Sequence, residues 1–248
     1  MTSARSAAEA PEATDAAPCT PATTGLRGRK RERTRRAISE AAFRLFAEEG
    51  FDAVTLTRIA AAADVAPATV FTHFASKEDI FFGRREEFDA QLWEAMGDAT
   101  TGAGLVEGLR RAAFRACDLA LCGEDALAQS RVFSRVLLGS PALRRSYAPF
   151  SGQRRDHLAE LLVERAGPHA VEDPELREEL RVFASFAIVV RDLVFDALHE
   201  ALAAGEPPER VRAAVDATLT RSCDRLVRAY AGSSLLDAVL GSAAVGAE

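Results

Sequence analysis

The segment from Val54 to Ile80, VTLTRIAAAADVAPATVFTHFASKEDI, constrains the fold more than any other, because its caps and turn residues specify two short helices meeting at a tight corner. Thr55 is a good N-cap for the first helix, and Ile59 with the small run Ala60 to Ala63 lets a neighbouring element approach closely. Asp64 and Val65 supply the turn, since Asp tolerates left-handed backbone geometry better than most residues. Pro67 then suits the first position of the second helix, where its missing N–H would have had no partner. Two helices joined by about four residues form a helix-turn-helix.

In the second helix of such a pair, one side packs on the domain while the other enters a groove lined by phosphates and base edges. Bulky side chains on the outer face would hold the helix away. Ala68, Thr69 and Thr72 fit that outer face, whereas Val65, Val70 and Phe74 fit the packed one. His73 and Lys77 follow where phosphates would pass, and Lys77 also opens the next helix, whose free N–H groups favour a phosphate. Contacts of that kind position without reading sequence. His73 taken alone reads as an ordinary surface or core histidine; the constellation gives it weight.

Charge points the same way by its location. Residues 26 to 36, LRGRKRERTRR, carry seven basic side chains and one acidic, a local +6 that leaves −12 for the remainder of a chain of net charge −6. A concentrated basic arm on an acidic body suits a polyanion, and by itself is equally a solvated charge run.

The flanking sequence is helical throughout. Ile38, Ala41, Ala42, Leu45 and Phe46 recur at helical spacing, and Gly50 and Phe51 close that helix, Phe51 folding back on Phe46. Ser76 caps a third segment with Asp79 in the capping-box position, and one long helix is expected from there, with Ile80, Phe81, Phe88, Leu92 and Met96 along its apolar side. Further helices are expected over roughly 104–121, 125–138, 141–165, 174–203 and 208–231, two of them opened by Ser140-Pro141 and Asp173-Pro174. The last repeats Val211, Ala214, Val215, Thr218, Leu219, Ser222, Leu226 and Tyr230, a stripe that requires a partner surface. With 48% apolar residues, one tryptophan and two tyrosines among abundant Ala, Leu, Arg and Glu, the fold class is all-α.

Residues 1–25 and 232–248 read as a flexible and a weakly ordered tail. No stretch resembles a signal h-region, and the longest apolar run, Val182 to Val190, is far below the ~18 residues of a membrane span, so a cytoplasmic protein is expected. Cys117 and Cys122 read as small buried groups rather than redox sensors. No metal-ligand spacing, cofactor motif or catalytic arrangement stands out, and the histidines are scattered, so neither metal nor cofactor is expected and an enzyme is the least supported class.

The stretch AAFRLFAEEGFDAVTLTRIAAAADVAPATVFTHFASKEDI resembles the DNA-binding domain of the TetR family of bacterial transcriptional regulators, from about Arg33 to Phe81, or a fifth of the chain. The resemblance rests on F-x-E-x-G-F around Phe46 to Phe51, I-A-x-x-A at Ile59, and T-V-F-x-H-F-x-S-K-E-D from Thr69 to Asp79. It implies that Pro67, Ala68 and Thr72 lie near base edges while Thr57, Thr69, Phe71, His73 and Lys77 flank phosphates. Arg27, Arg29, Lys30 and Arg31 precede the ordered domain in this reading, as a free arm following phosphates or entering a minor groove. Three positions depart from the family pattern: Asp64 replaces a turn glycine, Ala66 a capping Ser or Thr, and Phe71 a tyrosine whose hydroxyl would bond a phosphate.

The resemblance further implies a helix-turn-helix domain over 26–80 with the basic arm, and a larger helical domain over 81–231 that binds a small, largely apolar effector and forms a homodimer through the last two long helices. VLLGSPALRRSYAPF is weakly similar to the acyl-CoA-like regulators of that family. Trp93, Cys117, Phe133, Tyr147, Phe150, Phe183 and Phe186 are candidate pocket residues on inward stripes, although core packing explains each taken singly. Arg191 interrupts an apolar stretch and so requires Asp192, another carboxylate, a ligand anion or solvent. The expected function is a ligand-responsive regulator, a repressor on a palindromic operator of double-stranded DNA; the alternative is an effector-independent DNA-binding or architectural protein.

Overall fold

A computed structural model describes residues 25–97, 99, 101–168 and 172–230. Apart from Gly25, the two expected tails lie outside them. The described residues form ten α-helices and no strand: α1 Leu26–Glu49, α2 Leu56–Ala62, α3 Pro67–His73, α4 Lys77–Phe81, α5 Arg85–Gly97, α6 Gly102–Ala120, α7 Gly123–Gly139, α8 Pro141–Ala166, α9 Pro174–Ala203 and α10 Pro208–Tyr230.

Local chemistry sets many of these ends. Thr55 Oγ1 accepts from the Arg58 N–H at 3.2 Å. Ser76 Oγ accepts from the Asp79 N–H while the Asp79 carboxylate accepts from the Ala75 N–H, both at 3.1 Å, a nearly reciprocal cap. Asp64 adopts φ 54°, the left-handed turn conformation expected of it. Ser140 and Asp173 both cap helices that begin with proline. Gly50 takes a positive φ of 82°, its N–H bonds the Phe46 carbonyl, and the Phe51 ring lies 4.9 Å from that of Phe46.

Three expectations are corrected. The basic run is no free arm: α1 starts at Leu26 and carries it as helix. The long helix from Ser76 is broken after Phe81, and α5 begins only at Arg85. Ile80, Phe81 and Phe82 are all buried, which three successive residues cannot achieve on one helix face, and Gly83 eases the break. Phe88, expected inside, is 36% exposed as a result. The partner surface that the apolar stripe of α10 requires lies within the chain, since Val211, Val215, Leu219 and Leu226 are buried in a core shared with α6 and α9.

Two cores result. One joins α1 to α4 through Ile38, Phe46, Phe51, Ile59, Val70, Phe74, Ile80 and Phe81, and extends to Leu137 of α7 and Leu143 of α8. The other joins α5, α6, α8, α9 and α10 around Leu109, Leu158, Leu180, Phe183 and Leu219. The chain is therefore a small helix-turn-helix domain attached to a larger helical one, with the smaller core borrowing residues from the larger domain.

The α5–α6 crossing depends on Gly108, where a Cβ would lie 2.4 Å from the Ala95 carbonyl oxygen and 3.0 Å from Met96 Cα. Helix propensity alone favours Gly108→Ala by about 1 kcal/mol. The obstructing atoms belong to the backbone and cannot swing aside, so a net destabilisation of about 1–3 kcal/mol is expected. A lowered urea midpoint checks it; a raised one would show that α5 yields without loss.

Candidate nucleic-acid interface

α3 presents its two sides as the sequence requires. Val70 and Phe74 are buried against α1 and α2, while Pro67, Ala68, Phe71 and Thr72 are exposed together and Thr69 is half-buried beside them. Phe71 is 61% exposed, an unusual placement for a phenyl ring. Thr72 Oγ1 donates to the Ala68 carbonyl at 2.9 Å, which leaves its methyl and oxygen lone pairs on the outer face. The Ala66 N-cap offers no side-chain bond, so Pro67 alone favours the start of α3. Thr57 is exposed on α2.

Lys77 does not point outward as expected. Its ammonium donates to the carbonyls of Phe51 at 2.9 Å, Val54 at 3.1 Å and Asp52 at 3.4 Å, and lies 4.4 Å above the Phe51 ring. An ammonium has three protons, so none remains for a phosphate in this conformation. Lys77 instead ties the α1–α2 loop to the start of α4, and the expected phosphate role is corrected to a positioning one. On the far side of that loop, Ser140 Oγ donates to Asp52 Oδ1 at 2.9 Å, a bond between the two domains.

A second clamp was not anticipated. Arg35 Nη1 donates to the His73 carbonyl at 3.1 Å and its guanidinium lies 4.4 Å above the Phe74 ring, so α1 grips the C-terminal end of α3. Nothing in the basic run distinguishes Arg35 from its neighbours; only its register on α1 does. His73 is half-buried, and its pKa is lowered by burial and then by Arg31 and Arg35. The shift favours the neutral ring, which offers one N–H donor and no charge. Arg29, Lys30 and Arg31 are exposed on the first turns of α1, and Arg27 lies on the same helix.

Residues 38–83, which span the second half of α1 and all of α2 to α4, match the family described as "Bacterial regulatory proteins, tetR family". The chain is 30% identical over 182 residues to the HTH-type transcriptional repressor Rv1474c of Mycobacterium tuberculosis, across 73% of this chain and 89% of that protein. The chain belongs to the TetR family of bacterial transcriptional regulators. It is also 31% identical over 170 residues to the HTH-type transcriptional regulator TcmR of Streptomyces glaucescens, across 66% of this chain and 74% of that one. Among solved structures, NalD, the secondary repressor of the MexAB-OprM multidrug efflux pump in Pseudomonas aeruginosa, is similar with a TM-score of 0.46 and 21% identity, over 80% of this chain and 96% of NalD. As a TetR-family member the protein is a DNA-binding transcriptional regulator and not an enzyme, and no helix among the described residues is long and apolar enough to cross a membrane.

The eight candidate pocket residues of this TetR-family chain do not surround one cavity. Cys117 and Phe183 are buried in the larger core, where burial pushes the Cys117 thiol up and away from redox chemistry; Cys122, by contrast, is exposed at the α6–α7 corner. Phe133 stacks on Phe81 at 4.5 Å, Phe150 packs against Phe82 at 5.5 Å, and Tyr147 stacks on Phe195 at 4.6 Å, so these rings fill the junction between domains. Phe186 faces outward at 51% exposure. Arg191 bonds Asp192 at 2.9 Å and the Tyr147 hydroxyl, which answers the question its position raised. Trp93 is half-buried at a separate cleft on the α5–α8 side. A cleft of about 460 Å³ between the α1–α2 loop and α7 holds none of the eight.

His199, buried behind Phe133 and Phe195, has Nδ1 at 2.8 Å from Ser134 Oγ. That hydroxyl already donates to the Ser130 carbonyl, so Nδ1 carries the proton. Burial foremost, then the charge of Arg191, lowers the imidazole pKa to about 3 from 6.5. Its stabilising contribution is complete above pH 6.5 and is lost as pH falls towards 3. His199→Gln should flatten the fall in unfolding free energy across that window by up to about 1.4 kcal/mol per pH unit, measured by urea titrations at several pH values. Lys77→Met should lower stability by about 1–3 kcal/mol and leave the salt dependence of DNA binding unchanged; a reduced salt slope would restore the phosphate role.

Proposed function

We propose that this regulator is a homodimeric repressor that binds a palindromic operator and releases it when a small, largely apolar effector binds the helical domain. The observation that carries the dimer is an apolar stripe on α9: Val182, Phe186, Val189 and Leu193 recur at helical spacing and are 38–54% exposed, with Val227 of α10 at 44%. A second copy related by a two-fold axis would cover the stripe as a four-helix interface of α9 and α10. Two reading heads on one dimer then match half-sites about 34 Å apart. The names of Rv1474c and TcmR support regulation, and that of Rv1474c supports repression.

Within each head, Pro67, Ala68 and Thr72 meet base edges, Thr57, Thr69 and His73 flank phosphates, and Phe71 offers an apolar contact to a thymine methyl in place of the family's tyrosine hydroxyl. The basic turns of α1 follow the backbone. The effector reading draws support from the route between domains: α5, which carries Trp93, leads through the break at Phe82 to Arg84 directly into α4.

Footprinting the purified protein on the DNA flanking its own coding region tests operator binding. Phe186→Glu should yield a folded monomer by analytical ultracentrifugation with operator affinity reduced at least tenfold; an intact dimer would move the interface elsewhere. Arg29→Ala and Lys30→Ala should each reduce the salt slope by about 1, whereas substitution of Thr72 should change which base is preferred. Operator affinity untouched by a broad ligand screen would favour the effector-independent reading.

A further inference from the structure

Arg154 of α8 is the most deeply buried charge outside the reading head. Its side chain is 3% exposed, its Nε donates to Asp89 Oδ1 at 2.6 Å, and Nη1 donates to the Tyr147 hydroxyl at 3.3 Å. Among the described residues Nη2 donates to nothing and Asp89 Oδ2 accepts from nothing. Asp89 and Arg154 together line a cleft of about 180 Å³ between α5 and α8, closed at its sides by Trp93, His157 and Gln153. The Trp93 and His157 rings lie 4.7 Å apart and are inclined by 59°, which makes two aromatic walls.

A buried guanidinium with a donor open to the cleft, beside a carboxylate with an open acceptor, sets side by side two polar atoms that the protein's own groups leave unpartnered. The charge of the pair is already balanced. An anionic ligand would gain the guanidinium and lose against Asp89 at nearly the same distance. A neutral planar group with a carbonyl beside an N–H serves both atoms at once, and the aromatic walls favour a flat ring attached to it. The volume is well below the ~300 Å³ of sites for drug-sized ligands, so it suits a one-ring molecule or the head of a larger one.

We infer that the α5–α8 cleft is a ligand site for a small aromatic amide or lactam, its carbonyl on Arg154 Nη2, its N–H on Asp89 Oδ2 and its ring against Trp93 and His157. Asp89 and Trp93 belong to α5, while Gln153, Arg154 and His157 belong to α8, so the ligand bridges the helix that leads to the reading head and one that packs in the body. The site stands on this geometry alone; its effect on DNA binding rests on the effector reading above.

Trp93 is the only tryptophan of the chain, so its fluorescence reports this cleft directly. Benzamide titrated into the full-length protein should give a saturable change, and benzoate or ethylbenzene should bind about tenfold more weakly, the loss expected for hydrogen bonds to charged groups. Asp89→Asn removes the balancing charge and should reverse the order, so that benzoate binds more tightly than benzamide. If that variant does not fold, the ranking of the three probes on the wild-type protein decides. A change that never saturates, or benzoate matching benzamide on the wild type, overturns the proposal. Release of operator DNA at saturating benzamide supports the effector reading as well; saturable binding without release supports the site and overturns its coupling to DNA.

Discussion

The stack of Phe133 on Phe81, 4.5 Å between ring centres and 16° between planes, is the contact on which the arrangement of the molecule depends. Phe81 ends α4 and lies among Phe43, Phe46 and Phe51 of the reading head, whereas Phe133 comes from α7 of the helical body. Phe82, Tyr147, Phe150 and Phe195 extend the same ring packing towards α8 and α9. Aromatic rings bring large apolar area and orientation preference together. The reading head is therefore seated on the body by a core in its own right rather than hung from a flexible linker, and the short break between α4 and α5 exists so that three successive residues can face that core.

Polar groups around this junction hold position. Lys77 satisfies the carbonyls of the α1–α2 loop, Asp52 of that loop accepts from Ser140, and Arg35 secures the end of α3. Arg191 and Arg154 both converge on the Tyr147 hydroxyl, each with its own aspartate partner. Cations in a DNA-binding domain invite a phosphate assignment, but the number of protons they have already donated decides otherwise. By that criterion Lys77 is spent on the loop at the start of α4, whereas Arg29, Lys30 and Arg31 on the first turns of α1 are exposed.

What was legible in the sequence was local. Thr55, Asp64, Pro67, Ser76, Ser140 and Asp173 encode helix ends through hydrogen bonds and dihedral preferences acting over three or four residues, and each acts where expected. The two faces of α3 and the all-helical class follow from periodicity in the same way. The pocket set was less legible, because an aromatic residue on an inward stripe carries no mark of what it meets: Phe133 and Phe150 meet other rings, Phe183 meets aliphatic core, and Phe186 meets no neighbour that buries it.

The sequence by itself determined the helix-turn-helix, the exposed and packed sides of α3 and the caps, since these depend on near neighbours in the chain. Tertiary structure alone decided which cations were used internally, which apolar stripe was left uncovered and where a buried charge kept an open bond. Those outcomes depend on which residues far apart in the chain become neighbours: Arg154 finds Asp89 across 65 positions and Ser140 finds Asp52 across 88. No periodicity in the sequence records such pairings, because they are fixed by how the helices cross and not by how each one is built.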